Sequence, residues 1–110
     1  MTLGVEVYGF GSAFAHGADP NDIDLLIVHP DTDPASCKLA IACKRGLVEH
    51  LSRAHVTMLS ASEAAHFQFI RTARAFCLQA VRNRQMEQDL AAILLEIHRR
   101  QPKSFAVTGP

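Results

Sequence analysis

The chain has 110 residues, enough for one hydrophobic core and short of a second domain. Apolar residues make up 48% and charged residues 20%, ordinary values for a soluble globule. The formal net charge is zero, which argues against holding DNA or a membrane surface by bulk electrostatics. No apolar run has the length of a membrane span, and no basic segment leads into an apolar one near the N-terminus. Three cysteines without paired spacing suit a reducing, cytoplasmic setting.

Residues 5–8 predict a first strand, entered almost directly from the start of the chain, with Glu6 facing solvent. Gly9 and Gly11 then allow a sharp turn and a close approach of the main chain to a ligand. Ser12 opens a short helix whose first N–H groups suit phosphate oxygens. Residues 15–21 read as a loop, in which Asp19 forms a turn and a protonated His16 is able to meet phosphate. Residues 23–28 predict a second, buried strand headed by Asp22 and Asp24. Alternate strand residues share a face, so these two Cα atoms sit roughly 6.5 Å apart and both carboxylates reach one hard divalent cation. Charge at the head of a buried strand is costly unless it is paired or metal-bound.

Residues 29–34 form a loop, with Asp33 as N-cap and Pro34 at the first helical position. The helix predicted over residues 35–53 lays Leu39, Cys43, Leu47 and Leu51 against the sheet, beside Ala40 and Val48. Cys37, Cys43 and His50, with five and six residues between them, fit no compact zinc pattern. Residues 55–59 predict a third strand, on which His55 and Thr57 share a face. Ser60 and Glu63 then spell a capping box. The helix after it is expected to bury Ala64, Phe67, Ile70, Ala73, Cys77, Ala80 and Val81, with Phe69 and Phe76 widening that face toward a partner. Arg71, Arg74, Arg82 and Arg84 decorate its other side. After a break at residues 83–85, a last helix over 86–100 carries Leu90, Ile93, Leu94 and Ile97. Residues 1–101 read as one domain and residues 102–110 as a tail.

Gly11-Ser12, nine intervening residues and then Asp22-Ile23-Asp24 resemble the G-S-x(9–10)-D-x-D signature of DNA-polymerase-β-like nucleotidyltransferases. The likeness is to the small "minimal" prokaryotic members, often paired with HEPN-type RNase toxins. It implies an α/β (α+β) fold, a small mixed β-sheet of three or more strands with helices packed on it. It implies Asp22 and Asp24 as catalytic metal ligands for Mg2+ (or Mn2+), with Gly11 and Ser12 holding the β- and γ-phosphates of ATP or another nucleoside triphosphate. In the family, basic side chains on the following helix meet the triphosphate, which singles out Lys44 or Arg45.

The chain departs from that pattern twice. Family members carry a helix before the first strand, so its absence suggests a sheet face or edge covered by a partner chain. Active relatives also supply a third carboxylate from the third strand. Here His55 or Thr57 takes its place, depending on register, and His55 is the candidate base. The resemblance therefore implies transfer of a nucleoside monophosphate, most simply AMP from ATP, to a hydroxyl of a protein partner, with a HEPN-type toxin as the candidate acceptor. The competing expectation is a catalytically weakened binding or antitoxin subunit that clamps a partner protein, and a homo-oligomer is the alternative to a separate partner. Neutral charge, one tyrosine and no tryptophan disfavour direct nucleic-acid binding.

Overall fold

Pairing between distant strands sets the layout of the chain. The computed structural model describes residues 4–11, 23–31 and 33–99. Strand β1 (Gly4–Phe10) runs antiparallel to β2 (Ile23–His29), with Tyr8 opposite Leu26 and Phe10 opposite Asp24. Helix α1 (Pro34–His50) carries the chain back, so that β3 (Ala54–Ser60) pairs parallel with β2. Two short helices follow, α2 (Ala61–Phe67) and α3 (Phe69–Thr72). Strand β4 (Phe76–Arg82) then pairs antiparallel with β1, and a 3-10 turn at Asn83–Gln85 leads into helix α4 (Met86–Arg99). The sheet order is β3-β2-β1-β4, a small mixed α+β fold. Strand β1 is thus an interior strand rather than an edge.

Strand β2 is apolar on both faces because both are covered. Ile23, Leu25 and Ile27 join Val5, Val7 and Val81 under Leu39, Cys43 and Leu47 of α1 and Ile93 and Ile97 of α4. Leu26 and Val28 point the other way, into a smaller cluster with Ala64, Tyr8, Phe10, Leu59, Phe69 and Ile70. Each large aliphatic side chain so buried stabilises the fold by about 1.5–3 kcal/mol relative to exposure. The first core is the larger; among the described residues, the second is roofed by the short helices α2 and α3.

Local signals set several boundaries. The Asp33 side chain accepts from the Ser36 N–H at 3.0 Å, and Pro34 follows at the first turn. Helix α1 stops at His50, earlier than the apolar spacing suggests, because Ala54 N–H donates to the Leu51 carbonyl and turns the chain into β3. Val48 is exposed rather than on the sheet-facing stripe. Gly46 lets α4 approach closely, since a Cβ there would lie 2.6 Å from the Leu90 side chain. The capping box of α2 forms as expected: Glu63 N–H donates to Ser60 Oγ and Ser60 N–H to Glu63 Oε1. Those hydrogen bonds hold the Glu63 carboxyl below its usual range.

The long helix expected after Ser60 is replaced by two short helices and a strand. Gln68 takes a left-handed conformation (φ 50°) that ends α2, and Arg74 (φ 55°) turns the chain out of α3. Phe76, Cys77, Ala80 and Val81 then belong to β4, and Phe67 is 59% exposed. The apolar spacing of this stretch suits a helix, but the open edge of β1 offers a ladder of main-chain hydrogen bonds that a helix leaves unmade.

Helix α4 is latched to β4 by Asp89, which is only 4% exposed. Its carboxylate accepts from the Arg82 main-chain N–H at 2.9 Å, the Arg82 guanidinium at 3.4 Å and the Gln79 amide at 3.3 Å. Burial pushes this carboxyl up, yet the hydrogen bonds and charge of Arg82, with Gln79, outweigh it and hold it below the ordinary value. Asp89→Ala leaves the Arg82 N–H without its acceptor and is expected to lower unfolding stability by about 1–3 kcal/mol in urea titrations. A folded-state pKa below the unfolded value contributes stability above the latter, about 3.9 for Asp. The gap between wild type and variant should therefore hold near neutrality and narrow as pH falls through the folded-state value.

Candidate functional site

The candidate site forms where β1 ends and β2 begins. Phe10 lies opposite Asp24, and Gly11 follows with φ +87°, a conformation that L side chains rarely adopt. A Cβ built on Gly11 would collide with Oδ2 of Asp24 and lie 3.3 Å from its Cγ. The main chain at the bend therefore closes directly onto the carboxylate. Asp24 is half-buried and alternates with the buried Ile23 and Leu25, so it shares the lightly roofed face with Leu26 and Val28.

The parallel pairing of β2 and β3 supplies the other flank. Asp24 is the register partner of His55, and Leu26 of Thr57. The alternative left open by the sequence resolves to His55, which is exposed beside Asp24, with Thr57 one step further along the same face. Ile23 N–H donates to the Arg53 carbonyl at 2.9 Å, which ties the head of β2 to the turn before β3 and fixes this level. The Phe10 ring meets Phe69 of α3 edge-on at 5.2 Å between centroids, bracing α3 over the same face. Phe69 thus packs inward instead of widening an outer surface.

Tyr8 and Glu6 extend this face along β1. The Tyr8 hydroxyl donates to Glu6 Oε1 at 3.0 Å, while Glu6 itself is exposed as expected. Burial, then the hydrogen bond and charge of Glu6 and the nearby Cys77, push the Tyr8 phenol up to about 12, so it remains a proton donor. The sequence gives this pair no role. Its only signal is the i, i+2 spacing on one strand, which any strand shares.

Lys44 is not brought to Asp24. Its helix, α1, packs through Leu39, Cys43 and Leu47 on the opposite face of the sheet, and Arg45 sits on that helix too. Ser12, Asp22, His16 and Asp19 lie outside the described residues. The buried Cys43 thiol belongs to the core, and burial pushes it up to about 12.

The donor chemistry fits a hard divalent cation with phosphate ligands. Asp24 offers carboxylate oxygens directly against the Gly11 main chain. Among the described residues, no group of three or more His, Cys, Asp or Glu side chains gathers to hold a metal. No protein-family model, curated protein or solved structure matches the chain.

Gly11→Ala tests the close approach through stability alone. In the wild-type background it should cost roughly 1–3 kcal/mol, from the positive φ and from displacing Asp24. In an Asp24→Ala background the cost should fall toward that of the backbone alone. A double-mutant cycle in urea reads the difference.

Proposed function

We propose that the chain is a Mg2+- or Mn2+-dependent nucleotidyltransferase that moves a nucleoside monophosphate, AMP from ATP in the leading case, to a hydroxyl of a protein partner. The observation that carries this reading is the glycine bend seated against the Asp24 carboxylate at the head of the central strand. The Gly11 main chain lies against the Asp24 carboxylate, so phosphate oxygens held by N–H groups of the bend would stand beside an acid, and a cation between the two would satisfy both. The G-S and D-x-D residues supply the same set in sequence.

In this reading Asp22 and Asp24 hold the cation, and Gly11 and Ser12 hold the β- and γ-phosphates through main-chain N–H groups. When bound, the cation neutralises charge on the phosphoryl group in transfer. The acceptor oxygen forms a bond to the α-phosphorus, the bond from that phosphorus to the oxygen bridging to the β-phosphate breaks, and pyrophosphate departs. The hydroxyl proton passes to a ring nitrogen of His55, one strand away from Asp24. Tyr8 and Glu6 lie further along the same face and take no part in the step. A reducing cytoplasm, a HEPN-type toxin as acceptor and a role as antitoxin belong to the same proposal.

One observation favours a second reading. His55, rather than an acid, is the register partner of Asp24. A third strand with histidine instead of an acid at this level suits a weakened nucleotidyltransferase fold that binds and clamps a partner without transferring anything.

Label transfer separates the two. Incubation with α-labelled ATP, Mn2+ or Mg2+ and lysate should label a protein band, and the Asp22→Ala/Asp24→Ala double variant should abolish it. His55→Ala should lower the rate by roughly 10²–10⁴-fold, the usual contribution of a positioned base. Equal labelling by wild type and the double variant would falsify the transferase. Nucleotide binding by calorimetry with no transfer would favour the clamp.

A further inference from the structure

Beyond the Asp24 site, the lightly roofed face of the sheet carries an open groove of about 480 Å³ between β1–β2 and the helices α2 and α3. Its lining is almost wholly apolar, with Val28, Ala64, Ala65 and Ile70, and a charged residue on either element: Glu6 on the strand and Arg71 on the helix. Glu6 is held in place by the Tyr8 hydroxyl at 3.0 Å. A small polar ligand would find few hydrogen-bond partners along such a wall. The groove suits an apolar side chain, and an apolar cavity of about 150 Å³ suffices for a benzene-sized guest.

The same surface presents the guest. Phe67, the last residue of α2, follows Ala64 and Ala65 along the helix that forms the wall, yet it lines no part of the groove and is 59% exposed. The ring rests edge-on against His66, at 5.1 Å between centroids. An exposed aromatic beside an apolar groove, with one acid and one base across it, is a self-complementary patch. Such a patch is what a two-fold interface requires, because each feature must meet its counterpart on an identical chain.

We infer that this face is an isologous dimer interface, in which Phe67 of each copy enters the groove of the other and Arg71 of each faces Glu6 of the other. The inference stands on the groove and its neighbours and is independent of the nucleotide chemistry at Asp24. Buried aromatic and arginine side chains are the usual anchors of interfaces. The opposite charges at the rim set register and exclude other docking angles more than they add affinity.

Sedimentation equilibrium of the full chain tests it. Wild type should be a dimer, and Phe67→Ser should weaken the dimer by about tenfold or more. Its circular dichroism spectrum should match wild type, while its melting should lose the concentration dependence that dimerisation gives the wild type. Glu6→Arg and Arg71→Glu should each weaken self-association, with circular dichroism confirming that both fold. Mixing these two variants should recover a tight heterodimer, because both crossed contacts then pair arginine with glutamate. A wild type that stays monomeric at its highest soluble concentration overturns the inference. So does Phe67→Ser dimerising as tightly as wild type, or a mixture no tighter than either variant alone.

Discussion

Strand β2 has to be buried on both of its faces, and this constraint governs the rest. Ile23, Leu25 and Ile27 require one helical cover while Leu26 and Val28 require another, so α1 with α4 and α2 with α3 are held on opposite sides. A strand alternating through two cores leaves no solvent face along its length. The exception is its head, where Asp24 occupies a position that would otherwise be filled by an apolar side chain. Asp24 is only half-buried there, beside the Phe10–Phe69 contact.

Two registers of opposite sense then decide what stands around Asp24. The antiparallel pairing with β1 brings Phe10 and the Gly11 bend from one side, and the parallel pairing with β3 brings His55 from the other. A slip of one residue in either pairing would send the flanking side chains to the wrong face. The apolar residues behind the site hold both registers, so the geometry at Asp24 is fixed by Leu25, Leu26 and Ile27 as much as by its own neighbours.

Much of this was readable from local chemistry. Two short apolar runs around a glycine turn announced β1 and β2, Asp33-Pro34 announced α1, and Ser60 with Glu63 announced α2. Each of these signals acts over a few residues. The likeness carried by Gly11, Ser12, Asp22 and Asp24 picked out the stretch where the bend meets Asp24. What the sequence concealed depends on distance. Residues 76–82 space their apolar side chains as a helix would, and only the open side of β1, far away in the chain, turns them into a strand. The breaks at Gln68 and Arg74 use left-handed residues that are not glycine, so no compositional cue marked them. Lys44 illustrates the same gap: sequence proximity to the motif said nothing about which side of the sheet its helix would take. Asp89 reads as an ordinary first-turn acid, and its burial follows only from where β4 runs.

The interior position of β1 has a consequence for how the chain comes together. β1 leaves the ribosome well before residues 76–82, yet one of its two hydrogen-bonding sides is paired with them. Until these emerge, the nascent sheet of β1, β2 and β3 keeps an apolar strand unpaired along one side, a template for unwanted association. Closing a loop that spans most of the domain is also the slow kind of folding event. The late arrival of β4, with α4 pinned behind it by Asp89, therefore completes the fold in one final step. A chain cut short before that point would carry every residue around Asp24 and still lack a finished sheet.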